Sequence, residues 1–148
     1  MKRAIILTAL AAAIALPIGA SLLSRPDAAQ AASAAQITRG SEVYAGYCAA
    51  CHGANLEGQP DWQRPGESGR FPAPPHDETG HTWHHSDLVL AQIIYFGTAK
   101  LVGNGYESDM PGFADVLSED DILAVLDYIK STWPEQQAAF QRDASQAR

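Results

Sequence analysis

The sequence predicts an all-α domain, and three observations predict it. Apolar residues recur at three- and four-residue spacings, as in Ile122, Val125, Leu126 and Ile129, which places them on one stripe of a helix. Residues suited to helix ends flank such stretches: Ser86 and Ser118 ahead of them and Gly97 behind the first. No stretch alternates apolar and polar residues over the length of a strand.

The elements follow in order. Lys2 and Arg3 open the chain, and the run from 4 to 23 is almost free of polar groups. A positive start, an apolar stretch and then small residues make an export signal. Ala29-Gln30-Ala31 fits the cleavage site, with the cut before Ala32. Residues 1–31 are therefore read as a signal peptide. The rival reading is an uncleaved anchor, because about 20 apolar residues suffice to cross a bilayer, although Pro17 and Gly19 interrupt this run. Residues 32–36 sit in an Ala/Gln/Ser-rich stretch and read as a linker. Val43, Tyr44 and Tyr47 fall at helical spacing, so a short helix is expected over 37–49.

Residues 53–85 hold Pro60, Pro65, Pro72, Pro74, Pro75 and several glycines. Such composition predicts a long loop, and long loops inside compact domains are usually functional. A second helix is expected over 86–96, capped by Ser86 and ended by Gly97. A second loop, 98–116, carries Gly103, Gly105, Pro111 and Gly112. The third helix, over 119–132, begins after Ser118 with three acids in its first turn, where they favour the positive helix end. Residues 134–148 read as a polar, Gln-rich tail, open to helix with fraying at its last residues.

Charge narrows the partners. The chain carries 10 Lys+Arg and 17 Asp+Glu, a formal charge of −7. Cutting before Ala32 removes three basic residues and one acid, leaving 7 against 16, or −9. Nucleic acid is excluded, since its phosphates would be repelled. Acidic surfaces instead suit partners with basic docking patches, chiefly through faster encounter. A periplasmic or equivalent space is the expected location, and the membrane enters only if the N-terminal segment stays as an anchor.

The chemistry lies in Cys48-Ala49-Ala50-Cys51-His52, the C-x-x-C-H spacing of covalent haem attachment. Two thiols three residues apart lie on one side of a helical turn, so both reach the vinyl groups of one porphyrin. His52 then falls beneath the iron as proximal ligand. These are the only two cysteines of the chain, and an export signal precedes them. The bland reading is a plain disulfide between Cys48 and Cys51; a thioredoxin-like redox pair would want a strand-to-helix context, and zinc would want a finger spacing, and neither pattern is present. Met110 is the only methionine left after processing, in a Pro/Gly-rich loop off any apolar stripe. It is the candidate for the distal iron ligand, and His/Met ligation raises the reduction potential.

The sequence resembles the monohaem class I cytochrome c family over residues 37–133. The resemblance rests on Gly40-Ser41-Glu42-Val43-Tyr44 ahead of the Cys48–His52 motif, the Met110-Pro111 loop, and Leu117-Ser118 leading into the 122–129 stripe. It implies a small helical bundle around one covalent haem c, with the first and last helices crossing. Gly40 and Tyr44 match the crossing positions and should meet the last helix near Leu126 or Tyr128. The resemblance also implies a proline carbonyl on the other N–H of His52, offered by Pro74 or Pro75.

The function so implied is one-electron transfer between redox proteins of the periplasm or inner membrane. With both axial positions of the iron filled and no acid, base or nucleophile constellation, the chain reads as a carrier and not an enzyme. Two rivals stand beside this. One is a haem subunit of a dehydrogenase or oxidase complex. The other is a metal-handling or sensory haem protein, in which His76, His81, His84 and His85 bind copper, zinc or nickel. Those histidines are otherwise expected to be solvated loop residues that cap the next helix or touch the haem edge; one of them displacing Met110 would give bis-His haem. Trp62 and Trp83 are expected to pack the loop against haem or core.

Overall fold

The computed structural model describes residues 28–146. Most of the expected signal peptide, residues 1–27, lies outside the described residues. Six helices follow in order: α1 Ala28–Tyr47, α2 Ala49–His52, α3 Asp87–Phe96, α4 Thr98–Val102, α5 Glu119–Ser131 and α6 Glu135–Gln146. A 3₁₀ turn, Thr82–His84, precedes α3. There is no strand among the described residues, in agreement with the expected all-α class. No described helix is long and apolar enough to cross a membrane.

Two expectations need correction. The stretch 32–36, expected as a linker, lies inside α1. The physical reason is its Ala-rich composition: Ala is the best helix former, and no Gly or Pro interrupts the chain from Ala28 to Arg39. The expected tail is α6, and it is docked. Gln141 is 1% exposed. Its amide donates to Asp87 Oδ1 at 2.7 Å and to Ser145 Oγ at 2.9 Å. Lys130 adds a two-pronged ion pair to the same Asp87 carboxylate, at 2.9 and 3.0 Å. A polar sequence therefore packs through polar groups, which an apolar stripe does not reveal. Loop 98–116 likewise contains one short helix, α4.

The frame is the crossing of α1 and α5. Ile122, Val125, Leu126 and Ile129 are all buried along α5, as their periodicity predicts. They share one core with Val43, Tyr44, Leu56, Leu90, Ile94, Leu117 and Trp133. Gly40 lies directly against the Ala124 carbonyl and the Tyr128 Cβ, so any side chain at 40 would collide with the α5 backbone. The expected contact with Tyr128 is present; the other partner is Ala124 and not Leu126. Tyr44 completes the crossing, with its ring 5.5 Å from that of Tyr128. At the start of α5, Ser118 and Asp121 form a reciprocal cap, and Arg39 of α1 reaches Asp121 at 2.7 Å.

Candidate functional site

The attachment motif is a tight turn at the end of α1. Cys48 breaks the helix, and α2 restarts at once, with the His52 amide donating to the Cys48 carbonyl at 2.9 Å. The Tyr44 hydroxyl donates to the carbonyls of Gly53 at 2.9 Å and His52 at 3.3 Å. A residue of the helix crossing thus also holds the far end of the motif. Both cysteines are free, Cys48 half-buried and Cys51 exposed. Burial pushes the Cys48 thiol up to about 11, with Cys51 adding to the shift. A redox-active dithiol needs the opposite, a thiol that ionises easily.

His52 is 5% exposed, and its ring is held in one sense. Nδ1 lies 2.8 Å from the Pro74 carbonyl. A carbonyl only accepts, so Nδ1 carries the proton and Nε2 is left with its lone pair. Nε2 is buried and has no partner in the protein. Burial, first, lowers the pKa of the ring, while the Pro74 contact works against that. A neutral imidazole with a bare, dry nitrogen is the donor an iron requires, and a carbonyl on the opposite nitrogen is the usual orienting partner of a metal-bound histidine. Of the two candidate prolines it is Pro74 that makes this contact. Pro75 does not: its carbonyl accepts from the Thr82 hydroxyl at 3.4 Å.

Met110 sits in the loop between α4 and α5, half-buried against the core. Two glycines allow the approach. Gly97 ends α3 at φ +81°, and a side chain there would strike the backbone of Pro111 and Gly112. Gly112 in turn lies against the Phe96 carbonyl. The Phe113 amide then donates to the Ile94 carbonyl at 2.9 Å, fastening the loop to the end of α3. Its other flank is tied by Arg70, which reaches Asp109 at 2.7 Å and comes within 3.5 Å of Glu107.

A family model described as Cytochrome c matches residues 37–133. The chain belongs to the cytochrome c family. Cytochrome c6, chloroplastic, of Chlamydomonas reinhardtii is 34% identical over 116 residues, 78% of this chain and 66% of that protein. The chain thus spans slightly less than two thirds of that relative's length. No solved structure matches the chain.

The cofactor that goes with this membership is covalent haem c, and Cys48, Cys51 and His52 are positioned for its attachment. Haem-based electron transfer, and not enzymatic catalysis, is the function that accompanies it. The residues present fit the group. Two buried side-chain nitrogens have neither a hydrogen-bond nor an ion-pair partner among the described residues: His52 Nε2 and Trp83 Nε1. The first is a metal donor, and the second is an N–H donor suited to a carboxylate. Tyr47 at the end of α1, and Phe71, Leu101, Val102 and Tyr106 on the two loops, are large apolar side chains left exposed.

The four loop histidines of this cytochrome do not converge. His76 stacks on His52. His81 stacks on Trp62 at 5.2 Å and meets His85 at 5.4 Å. His84 lies against Trp83 and Phe140. No group of three or more His, Cys, Asp or Glu side chains could hold a metal ion among the described residues. Sequence reasoning missed Arg70 and the Tyr44 hydroxyl contact. An isolated Arg in a Pro-rich loop carries no local signal of a partner 39 positions away.

Proposed function

We propose that this cytochrome is an exported one-electron shuttle with His52 and Met110 as the axial ligands of its iron. The single observation that carries the reading is the bare, buried Nε2 of His52, opposite an Nδ1 held by Pro74. Bound haem supplies the reversible one-electron change; the protein sets ligation, burial and access. Cys48 and Cys51 hold the porphyrin edge through thioether bonds. His52 offers a neutral, preoriented nitrogen. Met110 offers a soft thioether that favours the ferrous state, on a loop fastened at both flanks. Trp83, with an unpartnered N–H group, is suited to a haem carboxylate. The exposed apolar side chains of the two loops supply a surface for the ring.

The periplasm is the proposed location, with redox proteins bearing basic patches as partners. The signal-like N-terminus and the formal charge of −9 after cleavage support this. A cut before Ala32 shortens α1 by four residues and leaves Gly40 and Tyr44 in place. N-terminal sequencing of the purified protein should therefore start at Ala32; a start at Met1 in the membrane fraction would establish an anchor instead.

Met110→His tests the ligation. Haem should remain attached, since Cys48, Cys51 and His52 are untouched. The far-red sulfur-to-iron absorption band of the oxidised wild type should vanish, and the reduction potential should fall. If the wild type lacks that band and Met110→His changes neither spectrum nor potential, Met110 is a packing residue.

A further inference from the structure

His52 has a second neighbour that the attachment motif does not call for. The ring of His76 lies on its face, with centroids 4.0 Å apart and planes inclined by 22°. His76 stands two residues past Pro74, so one short stretch of loop supplies both the hydrogen bond and the stack.

His76 is itself held from several sides. Its amide donates to the Leu56 carbonyl at 2.8 Å. Its own carbonyl accepts from Trp133 Nε1 at 2.7 Å. Nδ1 lies 2.8 Å from the hydroxyl of Thr82, which is buried. The Tyr44 ring meets it edge-on at 6.2 Å. Burial, first, and then the neighbouring His52 and His81 hold its pKa well below that of a free histidine.

The two contacts do different things. A hydrogen bond to Nδ1 fixes one atom of the His52 ring and leaves the ring able to pivot about the line through that atom. A flat ring laid on its face removes the pivot. We propose that His76 is a positioning residue that fixes the plane of the His52 imidazole and thereby shapes the electronic state of the haem iron. The inference rests on His52 being the proximal ligand. The plane of an axial imidazole decides how the unpaired electron of a ferric haem spreads over the porphyrin. A polarisable ring against the ligand also favours the more positive ferric state.

The test uses the full holoprotein and three variants: His76→Leu, His76→Phe and Thr82→Val. Mass spectrometry first checks the haem adduct. Proton NMR of the ferric protein then reads the hyperfine-shifted haem methyl resonances, and spectroelectrochemistry reads the midpoint potential. His76→Leu should reorder or compress the methyl shifts and raise the potential, with haem attached and the far-red band present. His76→Phe, which keeps a flat ring, should restore most of the wild-type pattern. Thr82→Val should move both readouts in the direction of His76→Leu, by less. An unchanged methyl pattern and potential in His76→Leu would overturn the proposal, as would a His76→Phe protein as perturbed as the leucine variant. If His76→Leu is not recovered with haem, Thr82→Val decides, and an unchanged pattern there overturns it. A wild type without a haem adduct, or with haem ligation that survives His52→Ala unaltered, would instead remove the proximal reading, and the inference with it.

Discussion

The two sides of this site are built differently. On the His52 side, contacts are short, buried and drawn from across the chain: Pro74 on the ring nitrogen, His76 on the ring face, Tyr44 on the backbone. On the Met110 side, a loop is fastened by backbone bonds at one flank and by a partly exposed ion pair from Arg70 at the other. Buried hydrogen-bonded contacts are costly to break, whereas exposed ion pairs contribute little. The difference teaches where the molecule yields: the Met110 side opens first, and the His52 side holds until the fold itself gives way.

Removing each proposed ligand in turn is the strongest way to break that comparison. His52→Ala should abolish or sharply reduce holoprotein, because the buried nitrogen proposed to hold the iron is gone. Met110→Ala should retain full haem content and let added cyanide or imidazole bind the ferric iron. Haem content by mass spectrometry and ligand titration by absorbance decide it. Equal haem loss in both variants would show that the two sides are equally required.

A smaller effect is expected at the clip. Arg70→Ala frees Asp109, next to Met110, from its 2.7 Å partner. Global stability should fall little, as for an exposed pair. Cyanide binding to the ferric protein should nonetheless speed up, because loop opening is local and limits access to the iron. Stopped-flow rates equal to wild type would mean that the backbone contacts with the end of α3 hold the loop without Arg70.

The smallest effect lies away from the site. Arg39 and Ser118 hold the Asp121 carboxyl below its ordinary value of 3.8, at about 2. A carboxylate depressed by folding stabilises the native state above the unfolded pKa, and that contribution is lost as pH falls from about 4 through about 2. Asp121→Asn should flatten the acid limb of a denaturation profile over that window and leave the haem spectrum at neutral pH unchanged. A changed spectrum would show that the helix crossing and the site are coupled.

Much of the site was legible because its signals are local. The Cys48–His52 spacing, the Ser86 and Ser118 caps and the α5 stripe each announce themselves within a few residues. The proline carbonyl was expected from the family resemblance, and geometry chose Pro74 over Pro75. What stayed hidden depends on pairs distant in the chain. His76 was one of four histidines in a row of ten residues, and nothing local marks it as the one that faces His52. The docking of α6 was hidden for a related reason: its buried residue is Gln141, and a polar residue enters a core only when partners such as Asp87 and Ser145 await it. The start of α1 was hidden by a reading of composition that overlooked alanine's own preference.

Trp133 and α6 give the order of synthesis a meaning. The Trp133 indole donates to the His76 carbonyl, and Gln141 donates to Asp87 at the start of α3. The loop over His52 is therefore latched by residues made after every ligand candidate has been made. Protein chains are built from the N-terminus and begin to fold as they emerge. On the proposed export route, a chain that crosses the membrane N-terminus first would present Cys48, Cys51 and His52 before the latch exists. The cofactor can be joined while the crevice is open, and the C-terminal segment then shuts it.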